Sequence, residues 1–481
     1  MWVSTSANMR LCMLAQFLRL ASRDLVQFDQ HQAFPRSLSV QRSVEQAISV
    51  VVRRVPLSSQ IGLASSSTAA TMRMCCMVHD GCQVDGCRVG RAACSSGQPA
   101  VRRRGTEVVT MAKVLVSMNA FKGSISTKAA TDAVALAFEG AGFQVEKVYL
   151  ADGGDGTIDV AATLGARVEF VGTFDPLMRP IEAPVAWLGQ TAVIEMAKAS
   201  GMTLISAEER NPMLTTTWGT GLLILHALEQ GADRIILGVG GSATVDGGVG
   251  MLAALGFSIT DEAGNPSWRG GEGLSRLAHV VPGTSLKRSR LVVASDVTSP
   301  LLGPTGAAAI FGPQKGATPD MVTLLEKGLE RLADITFQMK GVRLHDMPGA
   351  GAAGGVGGAA VAWLGGHLEP GAELFMDLEG FDARAVGCDV LVTGEGSIDA
   401  QTVFGKAPVR VAQRFRKATP AGLTVAIAGA VRDRAKVREA GIDVFVTTLD
   451  RPMTEHEAME NGQALLTQAA SELAHLLSLR P

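Results

Sequence analysis

The sequence is poor in aromatic side chains and carries almost no net charge. Phe, Trp and Tyr together make up 5% of the 481 residues, and the formal net charge is −2. A near-neutral charge gives no reason to expect a nucleic-acid partner. The sequence has no apolar run of the roughly 18 residues that a membrane-spanning helix needs, so we expect no membrane partner.

Glycine is abundant, with 55 residues, and hydrophobic residues make up 47% of the chain. This combination is typical of an α/β protein with many tight backbone turns. The length is sufficient for two or three domains.

Lysine is absent from residues 1–110, which contain 13 Arg and only six acids. This segment therefore has a formal charge of +7, and the remaining chain has −9. An Arg- and Ser-rich composition with few acids is typical of a transit peptide, so we expect residues 1–110 to be a disordered extension. The alternative is a mis-assigned start, with Met111 as the true first residue, because MAKVLVS resembles a first strand.

The extension also bears on localisation. Six of the seven cysteines lie in it, but their irregular spacing lacks a paired C-x2-C and does not favour a zinc site. Residues 89–94, VGRAAC, are similar to a plastid processing site. We expect a chloroplast or another organelle if the extension is real, and the cytoplasm otherwise. Sequencing the N-terminus of the native protein distinguishes the two.

From Met111 onward, apolar runs alternate with amphipathic stretches. Val114–Met118 is a predicted buried strand, and Ser126 is expected to cap a helix over Thr127–Gly140. Residues 167–196 contain three short runs with no helix between them, which indicates antiparallel strands. The alternation of strand and helix resumes near Asp389.

This change of pattern predicts the domain organisation. We expect a doubly wound, Rossmann-like α/β domain formed by residues 111–167 and 386–481. It is interrupted by a second, mixed α/β domain of residues 168–385.

The stretch Arg234–Gly250 joins a predicted strand to a glycine loop that contains Ser242 and Asp246. Such a loop directs backbone N–H groups toward a bound anion. The alternative is a tight strand-to-helix turn without a ligand.

A second glycine loop, Ala151–Thr157, contains Asp152 and Asp155. Two carboxylates at this spacing suit Mg²⁺, which binds one or two carboxylates together with phosphate oxygens. The alternative is an acidic turn in which Asp155 caps the next helix. Lys122 lies in another strand-to-helix loop, where a solvated surface lysine is the simpler interpretation.

Residues 349–354 fit the pattern GxGxxG, but no strand precedes them and no acidic residue follows at the required distance. This excludes a dinucleotide-binding fingerprint and favours an anion-binding loop. The Walker pattern is absent as well, because Ala407 follows Gly405-Lys406.

Together the motifs resemble the bacterial-type (type 1) glycerate kinases, which make 2-phosphoglycerate. The matching segments are FKGS (121–124), ADGGDGT (151–157), RNPMLTTTWGTG (210–221), GVGGSATVDGGVGML (238–252), FGPQKGA (311–317), PGAGAAGGVG (348–357), TGEGSIDAQT (393–402) and GKAP (405–408). They cover nearly all of residues 111–481 in the family's order. This sequence departs from the family pattern at three places. It has Asn119-Ala120 where the family commonly has Asp-Ser, Asp155 where the family often has Glu, and Val245 where the family often has Asn.

The resemblance implies an ATP- and Mg²⁺-dependent kinase acting on glycerate, with two α/β domains and a cleft between them. Whether the protein forms a homodimer is not decided by the sequence. One alternative is a non-catalytic sugar-acid or nucleotide-binding regulator on the same fold, and another is a kinase that gives 3-phosphoglycerate. A kinase of this type in an organelle suits photorespiration.

Phosphoryl transfer needs positioned cations, N–H groups, a metal-holding carboxylate and an acid near the attacking hydroxyl. The catalytic candidates are Asp246, Lys122, Asp152 and Asp296, with Asp246 as the expected base. The candidates for ATP contact are Gly240, Gly241, Ser242, Lys315, Gly351, Gly354, Gly355, Glu395 and Lys406. The candidates for Mg²⁺ are Asp152, Asp155 and Glu395. The candidates for the glycerate carboxylate are Arg210, Thr215, Thr216 and Thr217.

The composition of the extension yields a first prediction. A protein that begins at Met111 should fold and keep the kinase activity of the full chain, since residues 1–110 contain none of the motifs. Expression of both lengths, followed by a solubility and activity comparison, checks this. An insoluble or inactive short protein beside an active full chain would contradict it.

Overall fold

The computed structural model describes residues 112–283, 289–399 and 407–479, together with two short backbone segments. These segments are the strands Arg102–Arg104 and Glu107–Val109, which pair antiparallel. The rest of the predicted extension lies outside the described residues, and so does Lys406.

Eleven strands of the described chain form two large sheets. The five-stranded sheet contains, from one edge to the other, Val444–Thr447, Leu423–Val431, Val390–Ile398, Lys113–Met118 and Gln144–Lys147. The six-stranded sheet contains, in spatial order, His367–Glu369, Arg290–Ala294, Arg234–Gly238, Thr191–Glu195, Pro180–Leu188 and Arg167–Phe174. A separate two-stranded sheet pairs Ser258–Thr260 with His279–Val281.

The described α-helices lie between and around these strands. They are Thr127–Gly140, Thr157–Thr163, Ala197–Ser200, Trp218–Glu229, Val249–Ala254, Gly270–Arg276, Ala307–Phe311, Pro319–Lys340, Val356–Leu364, Gly371–Leu378, Phe381–Ala385, Ala407–Ala418, Arg434–Glu439, Glu455–Glu460 and Gly462–Ser478. Short 3₁₀ helices span Met202–Leu204, Pro313–Lys315 and Ala352–Gly355. None of the described helices is long and apolar enough to cross a membrane.

The five-stranded sheet is parallel throughout and confirms the doubly wound α/β prediction. In chain order its strands are arranged 2-1-3-4-5, so the winding direction reverses between Lys113–Met118 and Val390–Ile398. Ligands of open α/β sheets bind beyond the carboxyl ends of the strands at such a switch point.

The six-stranded sheet is mixed, as expected. Arg167–Phe174, Pro180–Leu188 and Thr191–Glu195 pair antiparallel, which confirms the interpretation of three close runs without helices. The remaining strands are parallel. The carboxyl ends of Thr191–Glu195, Arg234–Gly238 and Arg290–Ala294 therefore lie at one edge.

Apolar stripes on the helices bury both faces of each sheet. Ser126 caps the helix Thr127–Gly140 by accepting a hydrogen bond from the Ala129 N–H at 3.2 Å, as predicted. Val134 and Phe138, four residues apart, are fully buried in one core that also contains Leu466 of the C-terminal helix.

The helix Gly371–Leu378 packs against both sheets. Leu374 and Phe375 lie in the core beneath the six-stranded sheet, whereas Ala372 and Met376 lie in the core beneath the five-stranded sheet. Both sheets belong to one compact unit. The strands divide between the sheets near residues 168 and 386, but the assignment of each sheet to a separate domain stays a prediction.

Backbone packs directly on backbone at the carboxyl edge of the six-stranded sheet. Gly240 N–H donates to the Gly153 carbonyl at 2.8 Å. A Cβ on Gly153 would overlap the carbonyl oxygen of Ala294, and a Cβ on Gly240 would overlap the Cα of Gly154. The Ala151–Thr157 loop is therefore fixed against the ends of two strands.

This packing predicts a difference between two glycines of similar backbone conformation. Gly153 has φ +84° and Gly165 has φ +85°, but only Gly153 lacks space for a Cβ. Alanine at either position costs roughly 1–2 kcal/mol for the left-handed backbone. Gly153→Ala should lose about 1–3 kcal/mol more because of overpacking. Urea unfolding of both variants measures this, and equal losses would contradict the close approach.

Candidate active site

Asp296 and Asp152 lie close together where the six-stranded sheet ends. Asp296 follows the strand Arg290–Ala294, and its side chain is 17% exposed. Neither of its carboxylate oxygens has a hydrogen-bond partner among the described residues. Burial and, to a lesser extent, the Asp152 charge raise the pKa of Asp296 to about 7, against the lowering effect of Arg410. A buried carboxyl group with a raised pKa is a typical feature of functional sites.

The glycine loop holds Asp152 in place. Its Oδ1 accepts a hydrogen bond from the Gly154 N–H at 2.8 Å. Gly371, the first residue of a helix, packs against the Asp152 backbone so closely that no Cβ would fit. This helix start also faces Asp296, whose charge its N–H groups stabilise. The sequence candidates Asp152 and Asp296 are thus brought together.

Arg410 joins the two sheets at this point. It lies in the first turn of the helix Ala407–Ala418, which packs on the five-stranded sheet. Its Nε is 3.9 Å from Asp296 Oδ1, and its Nη1 is 3.9 Å from Glu373 Oε1. Sequence reasoning missed Arg410, because no motif connects it with a strand end of the other sheet.

Lys122 and Glu395 lie at the switch point of the five-stranded sheet. The Asn119 N–H donates to the Gly394 carbonyl at 2.8 Å, which places the Lys122 loop beside the strand that contains Glu395. Lys122 is exposed and Glu395 is buried. The predicted site residues of this sheet therefore occupy the edge where ligands of such sheets bind.

The loop Gly240–Asp246 contains backbone N–H groups that have no acceptor in the described part of the chain. Its carbonyls at Gly241 and Ala243 accept hydrogen bonds from Met202 N–H and Thr215 Oγ1. The N–H groups of Gly241 and Ser242 donate to no acceptor in the described part of the chain. Adjacent N–H groups without an acceptor can bind an anion, so the anion site expected from the sequence stays a prediction at this loop.

Asp155 lies next to this loop rather than next to Asp296. Its exposed carboxylate is close to Gly241 and to the buried Glu195. Glu195 accepts a hydrogen bond from Ile158 N–H at 3.1 Å and pairs with Lys198 at 3.3 Å. Burial raises the pKa of the Glu195 carboxyl group. Sequence reasoning did not select Glu195 as a site residue.

Asp246 is fully buried and bonded on both oxygens. Oδ2 accepts hydrogen bonds from the N–H and Oγ1 of Thr217, each at 2.8 Å, and Oδ1 accepts from Gly248 N–H at 3.0 Å. Burial raises its pKa, and these bonds counteract that shift. The geometry is that of a structural carboxylate at two helix starts and disfavours the expected role as base.

The three threonines of the predicted substrate site are also buried. Thr215 donates to the Ala243 carbonyl at 2.8 Å, while the Thr216 and Thr217 hydroxyls contact Asp246. Their hydroxyl groups are engaged within the protein, so the geometry disfavours a direct contact with glycerate.

Arg210 differs from the threonines. Its Nε is buried without a hydrogen-bond partner among the described residues, so its guanidinium retains a donor.

Gly351, Gly354 and Gly355 allow two loops to pack tightly. A Cβ on Gly351 would overlap the Pro300 carbonyl, and a Cβ on Gly354 would overlap the Thr244 carbonyl. Gly354 also accepts a hydrogen bond from Gly247 N–H at 2.9 Å. The close packing alone explains why these positions require glycine, with no need for a ligand. The predicted contact with ATP stays a prediction.

The three metal candidates do not form one cluster. Within the described residues, no group of three or more His, Cys, Asp or Glu side chains is arranged to hold a metal ion. Asp152, Asp155 and Glu395 are therefore separate candidates, each able to supply at most part of a coordination shell.

The family model and the similar proteins point to the same family. A model of the glycerate kinase family matches residues 114–478. A glycerate kinase of Bacillus subtilis (strain 168) is 40% identical over 377 residues, which are 76% of this chain and 98% of that protein. A glycerate 2-kinase of Escherichia coli (strain K12) is 38% identical over 380 residues, which are 76% of this chain and 98% of that protein.

A solved structure shows the same fold. The crystal structure described as glycerate kinase 2 from Salmonella typhimurium LT2 matches with a TM-score of 0.65 and 36% sequence identity. The match covers 76% of this chain and 98% of that one.

The burial of Asp246 yields a prediction about stability. Asp246→Asn should lower the free energy of unfolding by about 1–3 kcal/mol. The NH₂ group of Asn would replace one carboxylate oxygen and would face the buried N–H or hydroxyl donors of Thr217 and Gly248, to which it cannot hydrogen-bond as an acceptor. Urea unfolding checks this, with the exposed Asp233→Asn as control. A variant as stable as the control, with greatly reduced turnover, would instead favour Asp246 as the base.

Proposed function

The chain belongs to the glycerate kinase family, and we propose that it transfers a phosphoryl group from ATP to the 2-hydroxyl of D-glycerate, giving 2-phosphoglycerate. The family match supports the kinase activity. The relative described as a glycerate 2-kinase supports the position of transfer.

The observation that carries this proposal is the position of Asp296. It combines burial, two carboxylate oxygens without hydrogen-bond partners, and a place where the carboxyl edge of one sheet faces Arg410 of the other. A buried polar group without a partner is costly, so its retention calls for an explanation. Binding of a substrate hydroxyl would supply the missing partner.

In the proposed mechanism, Asp296 accepts the proton of the attacking glycerate hydroxyl. Such a base typically contributes about 10²–10⁴-fold to the rate. The positive charges of Arg410 and Lys122, together with the N–H groups of Gly241 and Ser242, would neutralise the ATP phosphates. Asp296 replaces Asp246 as our candidate base because Asp246 is fully bonded.

The residues also fit Mg²⁺. Mg²⁺ binds proteins through one or two carboxylates and completes its shell with waters and phosphate oxygens, so a three-residue cluster is not required. Asp152 would hold the ion in our proposal, with Asp155 and Glu395 as further candidates. The ion would neutralise negative charge on the phosphates.

Arg210 is our candidate for binding the carboxylate of glycerate. Its unpartnered Nε leaves a guanidinium donor for an anion, and Arg binds carboxylates through paired hydrogen bonds. We do not retain Thr215, Thr216 and Thr217 as direct ligands.

An assay of the full chain with ATP, Mg²⁺ and D-glycerate tests the proposal. We expect glycerate-dependent ADP release and, by ³¹P NMR, 2-phosphoglycerate as the product. A 3-phosphoglycerate signal would overturn the position of transfer. Binding of both substrates without turnover would favour the regulator.

The role of Asp296 yields a further prediction. Asp296→Asn should lower kcat by about 10²–10⁴-fold, because the amide cannot take a proton. The melting temperature should change little, since Asn has nearly the same shape and the carboxylate oxygens of Asp296 accept no hydrogen bond within the described residues. Steady-state kinetics and thermal unfolding measure both quantities, with the exposed Asp346→Asn as control. Near-normal turnover of Asp296→Asn would exclude it as the base.

A further inference from the structure

Lys315 is a buried charge that the proposed mechanism does not use. It ends the 3₁₀ helix Pro313–Lys315 and is only 2% exposed. Its Nζ donates hydrogen bonds to Ser242 Oγ at 2.9 Å and to the Thr244 carbonyl at 2.8 Å. Burial lowers the pKa of Lys315 to about 7, against the opposing effect of the Asp246 charge.

These contacts disfavour direct binding of phosphate. Two of the three donors of the ammonium group bind the protein, and almost none of the side chain reaches solvent. A lysine that binds phosphate acts as an accessible point charge. We therefore do not retain Lys315 as a direct ATP contact, and its burial beside the loop needs another explanation.

Lys315 and Asp246 fix the same loop from within the protein. Asp246 holds the loop's end through Gly248 N–H and the helix start at Thr217. Lys315 holds its middle through Ser242 and Thr244. Gly316, next to Lys315, packs on the Arg210 carbonyl without space for a Cβ, which limits movement of the lysine backbone.

We propose that Lys315 is a positioning residue, which holds the loop Gly240–Asp246 so that the N–H groups of Gly241 and Ser242 stay directed at the phosphates of ATP. Its link to ATP rests on the proposed function. Its link to the loop rests on the two hydrogen bonds and does not depend on turnover.

Hydrogen exchange of the ligand-free full chain tests the link to the loop. In Lys315→Met, the hydrogen-bonded amides of Gly240 and Ala243 should exchange at least about tenfold faster, because the loop loses the two hydrogen bonds from Lys315. Ser242→Ala removes one of the two bonds and should give a smaller increase at the same amides. The exposed Lys327→Met should leave them unchanged. Unchanged exchange in both loop variants would overturn the proposal.

Kinetics tests the link to ATP. Lys315→Met should raise KM for ATP about tenfold or more and leave KM for glycerate within about twofold. Adding Ser242→Ala should then change KM for ATP by less than about twofold, because both substitutions disrupt one interaction. Independent, additive effects would overturn the positioning role.

Acylation of the wild-type protein separates positioning from direct binding without any variant. Under native conditions, a lysine-directed N-hydroxysuccinimide ester should leave Lys315 unlabelled with or without ATP. Labelling that ATP prevents would show that Lys315 is an accessible phosphate ligand and overturn the proposal. If the wild-type chain has no kinase activity but Lys315→Met still speeds up exchange in the loop, the kinase proposal is refuted and the loop contact stands.

Discussion

The contact of backbone with backbone at Gly153 is the constraint on which the site depends. No side chain separates the Ala151–Thr157 loop from the ends of the strands Arg234–Gly238 and Arg290–Ala294, because a Cβ would overlap there. This contact brings Asp152 beside Asp296. It also aligns the loop with Gly240, whose N–H donates to Gly153. Residues from distant parts of the sequence are therefore held close together at this edge of the sheet.

Buried charges in this protein fall into two classes that burial alone does not separate. Asp246 and Lys315 are buried with partners on their charged atoms, so they stabilise loops and helix starts. The two carboxylate oxygens of Asp296 are buried but accept no hydrogen bond from the described residues. A buried oxygen without a hydrogen bond is costly, and in our proposal the substrate hydroxyl supplies the missing partner. The difference in hydrogen bonding is the reason why we propose Asp296 rather than Asp246 as the base.

The sequence predicts local structure well and side-chain direction poorly. The helix Thr127–Gly140 occurs at the expected residues, and the strand expected at Val114–Met118 begins one residue earlier, because capping and apolar periodicity are local signals. The ADGGDGT motif also identifies the neighbourhood of Asp152, whereas none of the matching segments contains Asp296. They do not show that the Thr217 hydroxyl bonds Asp246, or that Arg410 faces Asp296. Both facts depend on which side of a loop packs inward and on contacts between distant segments.

A crystal structure of the full chain with a non-hydrolysable ATP analogue, Mg²⁺ and D-glycerate tests the central assignment most directly. We expect the glycerate 2-hydroxyl within hydrogen-bond distance of an Asp296 oxygen and the terminal phosphate of the analogue next to that hydroxyl. Asp246 should keep its bonds to Thr217 and Gly248. A hydroxyl bonded to Asp246, with Asp296 far from both substrates, would contradict our assignment of the active site.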